Sequence, residues 1–126
     1  HHLAAEVNCS SYSFGIPKLT NLWILELDHT LIDDEGVTQL SKMTKLARLT
    51  IRGKRITDQA IPTIGKLKSL RGLVLENTRI TDAAIETLAA LPALEIVHLA
   101  GTDITTAGAR WLRETCPKLT VLGKDK

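Results

Sequence analysis

A 24-residue period runs through most of the 126-residue chain and restricts what it can fold into. Leu22, Leu46, Leu70 and Leu94 open four segments spaced 24 residues apart, and a truncated fifth segment begins at Leu119, 25 residues after Leu94. Each segment follows the pattern L-x-x-L-x-L-x-x-T-x-I-T-D with few departures. Periods of this length are typical of solenoids, in which every repeat is one supersecondary unit. The period therefore predicts a stack of similar units.

The spacing of apolar residues changes inside each unit. The x-L-x-L-x stretch has period two, which is typical of a strand with one buried face. Downstream, Ile61, Ile64 and Leu67 recur every three residues, as one face of a short helix does. The same spacing occurs at Val37, Leu40, Met43 and at Ile85, Leu88, Leu91. The spacing thus predicts the order strand, turn, helix, turn in each unit. Stacked units would bury one another's apolar sides.

Polar residues mark the predicted helix starts. Thr57, Thr81 and Thr105 occupy helix N-cap positions. Asp58 and Asp82 follow, where a negative charge favours the helix N-terminus.

The repeats also depart from their pattern at four places. Lys54 replaces the turn Thr, whose hydroxyl would bond nearby backbone. Pro62 falls inside the second helix, where it removes a backbone donor, so we expect that helix to start late or be irregular. Thr106 replaces the last Asp, and the fourth unit has one extra residue before Cys116.

These motifs resemble the leucine-rich-repeat family over residues 19–122. The similarity is greatest to a bacterial subtype of roughly 24 residues carrying T-x-I-T-D, and extends to the cysteine-containing repeats of F-box adaptors, with Thr where those carry Cys. The resemblance implies an α/β solenoid, a right-handed superhelix with a parallel sheet on its concave face and short helices on its convex face. It also implies a protein-binding role.

We predict a single domain over residues 1–126. Its expected parts are an N-terminal cap or degenerate repeat at 1–18, repeats at 19–43, 44–67, 68–91 and 92–116, and a partial repeat with a C-terminal tail at 117–126. A closed cap would make the domain self-contained. A loose one would expose the layer of Leu22 and Leu27 for docking of further repeats or of another copy.

Residues between the strand leucines point away from the core, because successive strand side chains face opposite sides. Aligning the units gives three lanes across the sheet: Ile24, Arg48, Gly72, Ile96 and Val121; Glu26, Thr50, Val74 and His98; and Asp28, Arg52, Glu76 and Ala100. The third lane alternates in charge, which predicts a cross-strand ion ladder, a polar recognition stripe, or both. The predicted partner contacts on this face are Ile24, Glu26, Arg48, Arg52, Val74, Glu76, Ile96 and His98.

The predicted face is small. Five strands about 4.8 Å apart, each of five residues at about 3.3 Å, project roughly 300 Å². A standard interface takes about 800 Å² from each partner. The partner would therefore also touch loops or edges, or the chain is a piece of a longer array, or binding is weak.

Catalytic residues are not predicted, and we expect no enzyme. His29 and His98 lie three repeats apart, about 14 Å between strands, whereas nucleophile and base must be within hydrogen-bond reach. Cys9 and Cys116 fall at opposite ends of the stack, too far apart for a disulfide. We expect Cys116 to be a buried apolar filler.

No metal or other cofactor is predicted either. The acidic run Asp33-Asp34-Glu35 lacks the alternating spacing of a calcium loop and falls where a helix begins. Glu76 and His98 are diagonal neighbours, but two ligands without a third make a poor metal site.

Charge and hydropathy exclude other classes of partner. The net charge of +2 is too small for a nucleic-acid-binding surface. No apolar run reaches the roughly 18 residues that cross a bilayer, and no signal peptide is recognisable. Trp111 has two interpretations, an end cap over the last core layer or an exposed anchor for a partner.

Together these features predict a non-catalytic protein–protein interaction module. Its rigid, preformed concave sheet face would lower the ordering cost of binding a protein partner. The alternative is a C-terminal fragment of a longer repeat array, with an assembly or self-association role through an uncapped end.

Overall fold

The structure, a computed structural model, describes residues 4–6, 24–28 and 33–124. Within these residues, six parallel strands form one sheet in chain order. They are β1 (Ala4–Glu6), β2 (Ile24–Asp28), β3 (Arg48–Arg52), β4 (Gly72–Glu76), β5 (Ile96–His98) and β6 (Thr120–Leu122). From β2 to β6, each residue pairs with the residue 24 positions later. The period of the sequence is therefore the register of the sheet.

The N-terminal stretch contributes the first of these strands. β1 pairs in parallel with β2 through Ala4–Ile24 and Glu6–Glu26, an offset of 20 residues instead of 24. Residues 7–23 lie outside the described part of the chain. Whether 1–18 is a cap or a degenerate repeat stays a prediction, as do the repeat boundaries.

A helical segment follows each of the strands β2 to β5. These helices are α1 (Asp34–Thr38), continued by a 3₁₀ helix at Gln39–Lys42; α2 (Ile61–Ile64), preceded by a 3₁₀ helix at Asp58–Ala60; α3 (Ile85–Ala90), preceded by a 3₁₀ helix at Asp82–Ala84; and α4 (Thr106–Thr115). The strand–turn–helix–turn unit predicted from the apolar spacing is confirmed.

The late start expected for the helix that contains Pro62 is confirmed, but proline is not its cause. The following unit has Glu86 at the same position and also begins with a 3₁₀ turn. Pro62 lies in the first turn of α2, where no intrahelical donor is needed.

The core is one continuous cluster between the sheet and the helices. Strand leucines such as Leu49 and Leu75 are fully buried, and so are Leu40 and Ile64 from the helical side. Among the described residues, no buried hydrophobic side chain is aromatic. Each Leu or Ile buried in this way stabilises the fold by about 1.5–3 kcal/mol.

Aspartates at the helix starts bind the next unit. The Thr57 backbone N–H donates to Asp34 Oδ1 (2.8 Å), and Thr57 Oγ1 donates to Asp34 Oδ2 (2.5 Å). The same pair of bonds joins Thr81 to Asp58 and Thr105 to Asp82. We call this series the Asp–Thr ladder.

Each ladder threonine also caps its own helical segment. Thr57, Thr81 and Thr105 accept hydrogen bonds from backbone N–H groups in the first turn that follows them, which confirms the predicted N-caps. One hydroxyl therefore accepts within its own unit and donates to the preceding one. The turn threonines behave as expected too, since Thr78 and Thr102 are buried and donate to the carbonyls of Leu75 and Leu99.

The predicted place of Val121 in the first outward lane is wrong. Thr120 pairs with Ile96, while Val121 pairs with Val97 and is only 7% exposed. The 25-residue spacing of Leu119 suggested an extra residue, but the backbone ladder keeps its 24-residue step into β6. A one-residue shift turns every side chain to the opposite face. Thr120 therefore belongs to the first lane, and Leu122, paired with His98, extends the second.

This register can be tested by placing one charge on either side of β6. Val121→Asp should lower the free energy of unfolding by more than about 2 kcal/mol, because it buries an unpaired carboxylate. Thr120→Asp, its matched control, should change that value by less than about 0.5 kcal/mol. Urea denaturation followed by circular dichroism measures both. The reverse order of the two effects would restore the lane assigned from the sequence.

The Asp–Thr ladder gives a second prediction. Thr81→Ala removes both hydrogen bonds of the hydroxyl, the helix cap and the bond to Asp58, so the free energy of unfolding should fall by about 2 kcal/mol. Thr106→Ala, at an exposed threonine in the first turn of α4, is the control and should cost less than about 0.5 kcal/mol. Equal unfolding midpoints for the two variants in urea would show that the ladder does not stabilise the stack.

Candidate functional site

The outward side of the strands forms the candidate site, which we call the sheet face. Its residues are Ile24, Glu26, Arg48, Thr50, Arg52, Gly72, Val74, Glu76, Ile96, His98, Thr120 and Leu122. Strand pairing sets these side chains in columns across the stack. All eight predicted contact residues lie on this face, and none of the eight is buried. That a partner touches them stays a prediction.

A polar cluster occupies one side of the sheet face. Arg52 Nε lies 2.7 Å from Glu76 Oε1, and His98 Nδ1 lies 3.2 Å from Glu76 Oε2. The cross-strand ion pair expected from the third lane is thus confirmed for Arg52 and Glu76, and the diagonal contact of Glu76 with His98 is confirmed as well. The side chain of Asp28 lies outside the described structure. Half-exposed pairs of this kind contribute about 0.2–1 kcal/mol each.

The His98 Nδ1 atom has two competing neighbours. The Ala100 backbone N–H lies 3.4 Å from it and requires an unprotonated acceptor. Glu76 Oε2, at 3.2 Å, requires Nδ1 to carry a proton and donate. The two bonds therefore belong to different tautomers or charge states of the imidazole. Glu76 therefore accepts from both Arg52 and His98 when Nδ1 carries a proton, and from Arg52 without His98 when it does not.

An apolar patch occupies the other side of the sheet face. Ile96 and Leu122 are each 40% exposed, and Ile24 and Val74 are half-buried beside them. Two depressions, of about 480 and 240 Å³, open on this patch. Both are lined by Arg48, Gly72 and Ile96, so they meet over Gly72.

Charged groups flank the larger depression. Arg71 Nη2 lies 2.8 Å from Glu95 Oε2 in an exposed ion pair just before β4 and β5. Sequence reasoning missed this pair, although its 24-residue spacing marks the two residues as neighbours in adjacent units. Arg48, by contrast, forms no ion pair with any residue of the described ranges.

The acidic run at the first helix has structural partners. Asp33 caps α1 by accepting from the Gly36 N–H (3.0 Å), and Asp34 is the first acceptor of the Asp–Thr ladder. Across residues 4–6, 24–28 and 33–124, no group of three or more His, Cys, Asp or Glu residues is placed to hold a metal ion.

The structure changes the expectation for Cys116 and gives the exposure of Trp111. Cys116 is half-buried, not fully buried, and its Sγ lies 3.8 Å from the Ala89 carbonyl. Trp111 is 38% exposed on α4, whose buried residues are Gly108, Ala109 and Leu112. The end cap over the last core layer and the exposed anchor for a partner both stay predictions for Trp111. Cys9 and His29 lie outside the described residues.

A solved structure of another protein resembles this architecture. Internalin C2 from Listeria monocytogenes str. 4b F2365, a leucine-rich-repeat protein, aligns with 71% of this chain at 31% sequence identity and a TM-score of 0.57. The chain has the fold of an α/β leucine-rich-repeat solenoid. It spans 37% of the internalin C2 chain. No protein-family model and no curated protein matches the sequence.

The likeness to internalin C2 shows the fold of this chain. Because a fold does not by itself determine function, a role in binding depends on the residues of the sheet face. In the described part of the chain, no helix has the length and apolar character needed to cross a membrane.

Proposed function

We propose that this chain binds another protein through the sheet face. The observation that supports this most directly is the arrangement of the face itself, where an exposed apolar patch around Ile96 and Leu122 adjoins the polar cluster of Arg52, Glu76 and His98. Interfaces commonly combine an apolar centre with polar groups that set orientation. The likeness to a leucine-rich-repeat protein agrees with this role.

Rigid display is the proposed mechanism. The strands of the sheet face are held by a continuous parallel ladder, and the Asp–Thr ladder holds the helix starts of successive units. A preformed surface loses little conformational entropy on binding. The partner chemistry is that of a protein surface, and neither a cofactor nor a metal has a role. We also propose that the repeats are most similar to the bacterial T-x-I-T-D subtype and to the repeats of F-box adaptors.

The contact residues we assign are Ile24, Glu26, Arg48, Arg52, Val74, Glu76, Ile96 and His98. The face they form is small compared with the roughly 800 Å² of a standard interface. The partner should therefore also contact the rim near Arg71 and Glu95, which are exposed and border the larger depression.

Charge reversal tests the assignment. Proteins that the wild-type chain captures from its source would be purified, and their affinities measured by isothermal titration calorimetry against Arg48→Glu and Arg52→Glu. Each variant should weaken binding at least about tenfold, because it places a carboxylate where the partner meets a guanidinium. Arg110→Glu, on the exposed side of α4, is the matched control. Wild-type affinity in both sheet-face variants would rule out this surface.

A second candidate function is assembly within a longer repeat array. It is favoured by the coverage of internalin C2, since this chain spans only 37% of that protein. In this case an end of the stack would dock onto further repeats or another copy.

Molar mass in solution separates the two candidates. Light scattering coupled to size exclusion, across a concentration series, should give a constant value near 13.8 kDa if the chain recognises a separate partner. A mass that increases with concentration would favour self-association instead.

A further inference from the structure

Gly72 leaves an opening in the first lane of the sheet face. Its neighbours in that lane are Arg48 and Ile96, and its backbone is not among those with positive φ. A Cβ added at Gly72 would lie 3.5 Å from Ile96 Cγ2 and 3.7 Å from Arg48 Cγ, which are ordinary contacts. Neither the backbone nor the packing requires glycine there. A strand glycine costs stability and often marks a place where another molecule approaches closely.

The opening adjoins two depressions that are lined in part by apolar side chains. Ile24 and Ile96 line the larger one, of about 480 Å³, and Val74 and Leu122 line the smaller one, of about 240 Å³. Arg48, Gly72 and Ile96 are common to both. The shape suits one large apolar side chain inserted over Gly72, in van der Waals contact with Ile96 on one side and the aliphatic part of Arg48 on the other.

The charges around the two depressions indicate which polar group the occupant should carry. Arg52 is paired with Glu76, and Arg71 with Glu95. Arg48 stands at the edge of both depressions, is exposed, and has no ion-pair partner among the residues described. A guanidinium in this position can bind a carboxylate in a bidentate manner without breaking an existing pair.

We propose that the opening over Gly72 is the anchoring pocket for a protein partner that presents a large apolar side chain next to a carboxylate. The apolar side chain fills the space over Gly72, and the carboxylate, from an acidic side chain or a chain terminus, pairs with Arg48. This inference rests on the proposed function and specifies the partner chemistry. Anchors of this type carry most of the binding energy in many interfaces.

The pocket can be tested with small probes. The ¹⁵N-labelled protein is titrated with N-acetyl-phenylalanine, its neutral amide, and the peptide acetyl-Phe-Asp-amide, and amide shifts are followed by NMR. The acid and the peptide should shift Gly72 and Ile96, and at least one of them should bind about two- to fivefold more tightly than the neutral amide, as one partly exposed ion pair provides. If N-acetyl-phenylalanine alone binds more tightly than the amide, the partner's carboxylate belongs to a chain terminus. If only the peptide binds more tightly, the partner's carboxylate belongs to an acidic side chain. Equal binding of all three probes, or shifts confined to other surfaces, would overturn the proposal.

Two variants sharpen this experiment. Gly72→Leu fills the opening and should abolish the shifts. Arg48→Gln leaves the opening and should remove only the advantage of the charged probes, so it tests the proposal even if Gly72→Leu does not fold. Arg110→Gln, on the exposed side of α4, should behave as the wild type. Unchanged probe binding by folded Gly72→Leu would refute the pocket.

Binding of the purified natural partner to two variants distinguishes a failure of this inference from a failure of the proposed function on which it rests. Loss of the partner's binding in both Gly72→Leu and Arg52→Glu supports both proposals. Binding that survives Gly72→Leu but not Arg52→Glu would refute the anchor and leave the sheet face as the interface. Binding that survives both would refute the sheet face. A wild-type mass that increases with concentration and becomes constant in Gly72→Leu would identify the occupant as a second copy and overturn the anchor as proposed.

Discussion

The constant 24-residue register of the parallel ladder is the constraint on which the rest of the structure depends. Because β2 to β6 each pair at that offset, equivalent residues of successive units stand side by side. The inward positions become one aliphatic core, and the outward positions become the columns of the sheet face. A slip of one residue in any strand would exchange the two sets.

Exact periodicity made most of this architecture predictable. The lanes through β2 to β5, the threonine caps and the pair of Arg52 with Glu76 follow from adding 24 to a residue number. The lane predicted for Val121 was wrong because Leu119 does not occupy the register position of Leu94. The backbone ladder sets the register instead, so Lys118 aligns with Leu94, and Leu119, one position on, is the buried residue.

Other features depend on three-dimensional details that no residue pattern contains. The Asp–Thr ladder joins residues 23 positions apart, and it forms because each helix start brings a carboxylate against the capping threonine of the next unit. The apolar spacing predicts that a helix begins there but not how it lies on its neighbour. Gly72 could be assigned to a lane, but the depth of the opening depends on where the side chains of Arg48 and Ile96 point.

The two sides of the sheet face should contribute differently to binding. In the polar cluster, Glu76 already accepts from Arg52 and contacts His98. A partner that takes over one of these bonds must break another, so the net gain in affinity is small and the cluster mainly determines orientation. Around Gly72 the apolar surface is exposed and Arg48 has no ion-pair partner among the described residues. Each apolar square ångström covered there contributes about 25 cal/mol without a competing internal bond. For a face this small, binding strength must therefore come mainly from the apolar side.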